Sequence, residues 1–393
     1  MTGNPSILGR GAYISGLAGE LDPPAAARSL AGDRYEDLGS FVKDVADETR
    51  PIKVYPQGSR NLGTTNAHPD TGEFDIDLVF SIGFRKRELS QKQLNQCVGD
   101  LLRRYVRYQK QFAGALMPSG IEPGKRAWTL HYDDGFHMDL LPVVPDVDKE
   151  LRDRRGDPSW LTDKQLTRWQ ATNPQGFADW FHAVSQRERE VELRKRAEVT
   201  VDLLPDDHVK TTLQVTVQVL KFHRDRFFSD DPDKLAPPSA LITALAARAY
   251  EIRTPHGGPL ADVVEEVLAY MPALLATDDA GDLAVLNPVC DRENYADRYE
   301  GRRDKRAALE EWLAHAAADL GRIATTQGMN QVSKAIDETF GDGLGSRVTA
   351  KIVRETQGVR ERGHLSSSEG SGSLRIDPGH PTREHRFYGD PSA

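Results

Sequence analysis

The sequence predicts an α+β chain whose first half holds a sheet and whose second half is helical. Three observations carry this. Short apolar alternations around 52–82 and 127–145 read as strands, and from 176 onward apolar residues recur at spacings of three and four. Segments rich in Gly, Asn, Asp and Pro separate the pieces, and no repeat with a period of about 20 to 50 residues links them.

Taken in order, residues 24–49 carry Leu30, Tyr35, Leu38, Phe41, Val42 and Val45 on one helical face that ends before Pro51. Ile52–Tyr55 reads as a strand, followed by a polar loop and a second strand that starts near Phe74. Leu94, Val98, Leu101, Leu102, Tyr105 and Phe112 restore helical spacing over 88–113. RAWTLHY and GFHMDLLPVV then form two strands joined at Asp133-Asp134-Gly135, where glycine tolerates positive φ. Segments 176–197, 206–228, 239–252, 259–276, 302–326 and 328–340 read as helices. The expected division is therefore 1–175, a core with a long N-terminal helix, 176–355, a helical domain, and 356–393, a polar Gly/Ser-rich flexible tail.

Composition narrows the function. Lys plus Arg number 51 against 60 Asp plus Glu, a net charge of −9. That balance argues against a generic nucleic-acid coat, which needs basic residues to neutralise phosphates. No apolar run approaches the roughly 18 residues of a membrane span, and the opening residues lack a secretory pattern, so the expectation is a cytoplasmic protein without a membrane partner. The two cysteines, Cys97 and Cys290, are too few for a disulfide framework and are expected to be buried, reduced thiols.

The segment Glu73-Phe74-Asp75-Ile76-Asp77-Leu78-Val79-Phe80 carries the most chemistry. Strand alternation puts Phe74, Ile76, Leu78 and Phe80 on one face and Asp75 with Asp77 on the other. Either the pair lies on a solvated edge strand, or its mutual repulsion is relieved by a cation, with hard oxygen ligands favouring Mg²⁺. A second strand, Phe136–Leu141, places Asp139 and His137 on one face, and three carboxylates from two strands suit a two-metal site. Oxygen preference makes His137 a packing or hydrogen-bonding residue rather than a ligand. Gln57-Gly58-Ser59 precedes the pair, with Asp75 and Asp77 following Gly58 by 17 and 19 residues. Its glycine would let backbone N–H groups approach a phosphate, its Ser hydroxyl would donate, and Gln57 adds a hydrogen bond. No Gly-Lys-Ser ending or Gly-x-Gly-x-x-Gly fingerprint is present there.

These residues resemble the polymerase-β-like nucleotidyltransferases, and more closely the bacterial CD-NTases, relatives of cyclic GMP-AMP synthase and oligoadenylate synthase. Besides the Gly-Ser and the acidic strands, the resemblance runs through Leu220–Asp225, Pro238–Tyr250, Leu286–Val289, Glu293–Asp297 and the His385–Gly389 ending. It implies a nucleotidyltransferase core with a mixed sheet and a helical domain that completes the nucleotide pocket. It makes Asp75, Asp77 and Asp139 catalytic metal ligands for two Mg²⁺ ions, for which Mn²⁺ can substitute. Gln57, Gly58, Ser59, Lys221 and Ser239 become nucleotide-binding residues, though Ser239 also reads as a helix N-cap and Lys221 as a surface lysine. Tyr250, Tyr295 and Tyr299 are either base-stacking or core, and the basic run Arg298–Arg306 is either a solvated face or phosphate-facing.

The implied activity is synthesis of a cyclic di- or oligonucleotide messenger from NTPs for antiphage signalling. The implied partners are an effector that responds to the product and machinery that conjugates the C-terminus. Cyclic GMP-AMP synthase senses DNA through a zinc module whose cysteines are missing here, so DNA activation is not expected. Rival readings are a transferase acting on an RNA end, a protein or a small molecule, and a catalytically silent nucleotide sensor.

Overall fold

The computed structural model describes residues 11–46, 50–68, 71–112, 114–124, 126–151, 155–162, 168–197, 210–254, 258–361, 365–367 and 374–376. The His385–Gly389 ending lies outside them. The chain opens with α1 (Ala12–Glu20) and α2 (Ala25–Val45), then β1 (Ile52–Pro56), the short α3 (Gly58–Leu62) and β2 (Asp75–Ile82). α4 (Gln91–Gln109) leads to β3 (Gly120–Pro123), β4 (Trp128–His131), β5 (His137–Pro145), β6 (Ser159–Leu161) and β7 (Gln170–Thr172). The helices α5 (Pro174–Ala197), α6 (Thr212–Phe227), α7 (Ser239–Arg253) and α8 (Leu260–Tyr270) follow. Four short strands come next: β8 (Ala276–Thr277), β9 (Leu283–Ala284), β10 (Leu286–Asn287) and β11 (Cys290–Asn294). The last elements are α9 (Arg303–Thr325), α10 (Met329–Phe340), α11 (Leu344–Glu361), β12 (Leu365–Ser367) and β13 (Leu374–Ile376).

The fold is α+β, with a mixed sheet ordered β1-β2-β5-β4-β3 and extended by β6 and β7. β2 is therefore an interior strand, which excludes the edge-strand reading of its two aspartates. It pairs antiparallel with β1 and parallel with β5, so that Asp77 stands opposite Asp139 and Asp75 opposite His137. Alternation sends Ile76, Leu78, Phe80, Met138 and Leu140 into one apolar body with Leu38 of α2 and Leu94, Val98 and Leu102 of α4. A second apolar body joins the helices, with Trp312, Phe181, Leu220 and Tyr250 fully buried in it.

Local chemistry explains the helix starts. Ser90 and Gln93 form a capping box for α4, and Thr211 with Gln214 forms one for α6. α6 thus begins six residues later than the periodicity suggested, and residues 206–209 lie outside the described chain. α1 was not expected: its nine residues carry little amphipathic stripe, although Tyr13, Ile14, Leu17 and Ala18 are buried where it packs against α11 and α6. Gly16 makes that approach possible, since a Cβ there would stand 2.9 Å from Val348 Cγ1. The flexible-tail reading also needs correcting at its start, because α11 runs on to Glu361 and β12 pairs with β13 beyond it. The expectation of two buried cysteines holds for Cys290 only; Cys97 is exposed on α4.

Candidate active site

The acidic strands and the Gly-Ser loop meet because β1 hands the chain straight into α3 beside β2. Gln57 N–H donates to the Asp77 carbonyl at 2.8 Å, which fixes the loop to the strand. Gly58 adopts φ +59°, and a Cβ there would lie 2.7 Å from Asp77 Oδ2, so glycine is required by conformation and by space. Gly63 closes α3 in the left-handed region, and the returning chain places the Thr65 hydroxyl 3.4 Å from Ser59 Oγ.

Asp75, Asp77 and Asp139 each present a carboxylate oxygen, all within 4.8 Å of one another. Among the described residues, Asp75 and Asp77 accept no side-chain hydrogen bond. Burial, followed by the charges of Asp75 and Asp139, pushes Asp77 up to about 7, and Lys221 only partly offsets this. Three mutually repelling carboxylates held this close fit a divalent cation: oxygen-only donors suit Mg²⁺, and a positive charge would bring the raised pKa of Asp77 back down.

The opposite wall comes from α6 and α7. Lys221 is 7% exposed, and its Nζ donates to the Thr64 carbonyl at 2.9 Å. Burial first, then the neighbouring Arg224, lowers its pKa to about 8. This is not the surface lysine of the alternative reading. Ser239 is the first residue of α7, behind Pro238, and makes no capping bond; its Oγ accepts from Arg224 at 3.0 Å, so the N-cap reading fails. Arg224 also donates to the Pro237 carbonyl and pairs with Asp225.

These groups line one cavity of about 590 Å³ between the sheet and the helices. Gln57, Gly58, Ser59, Asp75, Asp77, Lys221 and Ser239 all reach it. Asp139 lies beside it, within the carboxylate cluster, and lines a neighbouring cavity of about 380 Å³ with Asp75, Thr129 and His137. His137 packs edge-on against His131 at 4.8 Å.

Of the three tyrosines, Tyr250 and Tyr299 are core, and Tyr295 reaches the larger cavity, packed against Phe177. Of the basic run, Arg298 lines the cavity, whereas Arg302 pairs with Asp304, Arg306 with Glu310, and Lys305 donates to the Lys234 carbonyl. Arg224 and Glu293 went unassigned in the sequence. Arg224 was legible as the residue one helical turn beyond Lys221. Glu293 was not, because its bonds to Thr172 Oγ1, the Asn173 N–H and Asn287 Nδ2 join segments far apart in the chain.

No family model matches the chain. It is 24% identical over 380 residues to a c-di-GMP synthase of Roseivirga ehrenbergii, covering 95% of both proteins. It is likewise 24% identical over 364 residues to the cyclic dinucleotide synthase CdnG of Bradyrhizobium diazoefficiens, covering 87% of this chain and 82% of that one. The solved structure of that CdnG, in complex with GTP, superposes with a TM-score of 0.66 at 21% identity over 88% of this chain and 99% of the other. The Escherichia coli MS115-1 CdnC, solved with HORMA-deltaN, superposes at 0.58 with 15% identity over 84% of this chain and 96% of the other. The chain is thus similar along nearly its whole length to two cyclic dinucleotide synthases, and it shares the fold of the solved CdnG and CdnC structures around one acidic cavity.

Proposed function

We propose that the chain is a Mg²⁺-dependent synthase that joins NTPs into a cyclic di- or oligonucleotide messenger of antiphage defence. The observation that carries this is a single cavity in which two carboxylates of the acidic cluster face Ser59, Lys221 and Ser239. In this reading the sheet-bearing part up to about residue 175 is the transferase core, and the helices beyond it form the domain that completes the pocket.

Asp75, Asp77 and Asp139 would hold Mg²⁺ or Mn²⁺, which neutralises phosphate charge and raises the nucleophilicity of a hydroxyl. The N–H groups beside Gly58, the Ser59 hydroxyl and the Lys221 ammonium bind the donor triphosphate, with Arg224 orienting the Ser239 hydroxyl toward it. Gln57 adds a hydrogen bond at the same loop. The ribose hydroxyl of an acceptor nucleotide gives its proton to Asp139 as its oxygen bonds to the donor α-phosphorus. The bond from that phosphorus to the β-phosphate oxygen breaks, and pyrophosphate leaves. Positioning and charge complementarity provide most of the acceleration, so few further catalytic groups are needed. A second transfer closes the ring. The product would act on an effector, and the C-terminal segment would be the site of conjugation.

Incubating the purified protein with Mg²⁺ and α-labelled ATP, GTP, CTP and UTP, singly and in pairs, tests this. A phosphatase-resistant cyclic product that disappears in Asp75→Ala is the expected result. Label transferred to RNA or protein would overturn it in favour of a different acceptor.

A further inference from the structure

The three carboxylates differ in one respect that the sequence pattern hides. Among the described residues, Asp75 and Asp77 accept no side-chain hydrogen bond, whereas Thr129 Oγ1 donates to Asp139 Oδ1 at 2.5 Å. The bond is built by the sheet: β4 and β5 run antiparallel with Thr129 directly opposite Asp139, so both side chains stand on one face. Trp128 and Leu130 on either side of Thr129 are buried in the apolar body below, which fixes the strand and hence the direction of the hydroxyl.

A carboxylate with one oxygen engaged by a fixed donor has a restricted rotation about its terminal bond and one oxygen left to offer. Mg²⁺ demands near-ideal octahedral geometry from single oxygens, while Ca²⁺ accepts both oxygens of one carboxylate. We propose that Thr129 is a positioning residue that holds Asp139 as a one-oxygen ligand and so tunes the acidic site toward small octahedral cations. This rests on the cation-binding reading of the acidic cluster. Threonine also favours strands for reasons unrelated to metal, so the test must separate the hydroxyl from the β-branched shape.

Binding of Mn²⁺ to the full-length protein, followed by the EPR signal of free Mn²⁺ and by its displacement with Mg²⁺ or Ca²⁺, makes that separation. Removing a hydrogen-bonding partner of a metal ligand weakens metal binding by about 10- to 100-fold. Thr129→Val is therefore expected to weaken Mg²⁺ about tenfold and Ca²⁺ by less than about threefold, while Thr129→Ser stays within about threefold of the parent for both. Thr129→Ala gives the same comparison if the valine variant does not fold. Mg²⁺ affinity within about twofold of the parent in the hydroxyl-free variants would overturn the proposal and leave the cation site standing. Equal weakening of both cations, with no rescue by serine, would also overturn it, by reducing Thr129 to a packing residue. A parent protein that shows no saturable Mn²⁺ binding would remove the cation reading itself and this inference with it.

Discussion

The two walls of the cleft are built on opposite principles. On the helical wall, polar groups are bonded in advance: Lys221 to the Thr64 carbonyl, Arg224 to Ser239 and Pro237, and Gln218 to the Thr65 carbonyl and Asp22. The sheet wall instead brings together carboxylates that repel one another, with Asp77 half-buried and its pKa raised. Satisfied donors make a rigid cradle, whereas crowded carboxylates store a demand for positive charge. The helices thus supply shape, and the strands supply the charge that must be answered.

The largest effect that would sharpen this contrast is on turnover. Asp75→Ala or Asp77→Asn is expected to lower product formation by more than about 10³-fold while the protein stays folded, read by labelled-nucleotide turnover and circular dichroism. A loss below about tenfold would break the comparison, because the sheet wall would then not carry the chemistry.

Next comes Lys221→Met. It removes the cradle's buried cation and leaves the Thr64 carbonyl without its donor, at a cost of about 1–3 kcal/mol in stability. Nucleotide KM should rise about 10- to 100-fold, measured by steady-state kinetics beside chemical denaturation.

Stability against pH tests the sheet wall without substrate. In EDTA, the folded pKa of Asp77, about 7, lies above its unfolded value, so folding takes up a proton between the two. That contribution is fully present below the unfolded value of about 3.9 and is lost as pH rises through 7. The melting temperature of the metal-free protein should therefore fall from pH 5 to pH 8 more steeply than that of Asp77→Asn. Adding Mg²⁺ at pH 8 should raise the parent's melting temperature and leave Asp77→Asn nearly unmoved. Equal slopes for the two proteins would remove the stored repulsion from the account.

Ser239→Ala should have the smallest effect, a severalfold rise in KM. Arg224 keeps its bonds to the Pro237 carbonyl and Asp225, so the cradle is expected to hold.

The acidic wall was legible in the sequence because strand alternation converts a spacing of two directly into a shared face. Asp75, Asp77 and Asp139 needed no tertiary information beyond the pairing of two strands. The helical wall was legible only at Lys221 and Ser239, and there through family resemblance, since no periodicity says that a lysine on α6 will bond to a carbonyl at residue 64. Thr129 and Glu293 were hidden for a related reason: the meaning of each depends on which strand lies alongside. α1 was missed because its nine residues carry little amphipathic stripe to detect, and α11 because a polar C-terminal stretch hides the apolar face of Leu344, Val348 and Ile352.

The parallel register of β2 and β5 acts as a ruler. Asp77 faces Asp139 because main-chain hydrogen bonds set neighbouring strands about 4.8 Å apart, a spacing that no side chain has to maintain. The segment between the strands, with α4, β3 and β4 in it, can change length at its loops without moving a mark on that ruler. A slip of one residue in either strand would turn that strand's carboxylates to the apolar side and take the cluster apart in a single step. Insertions between β2 and β5 therefore offer a place to attach new modules to such a transferase, while the strands themselves admit almost no change in alignment.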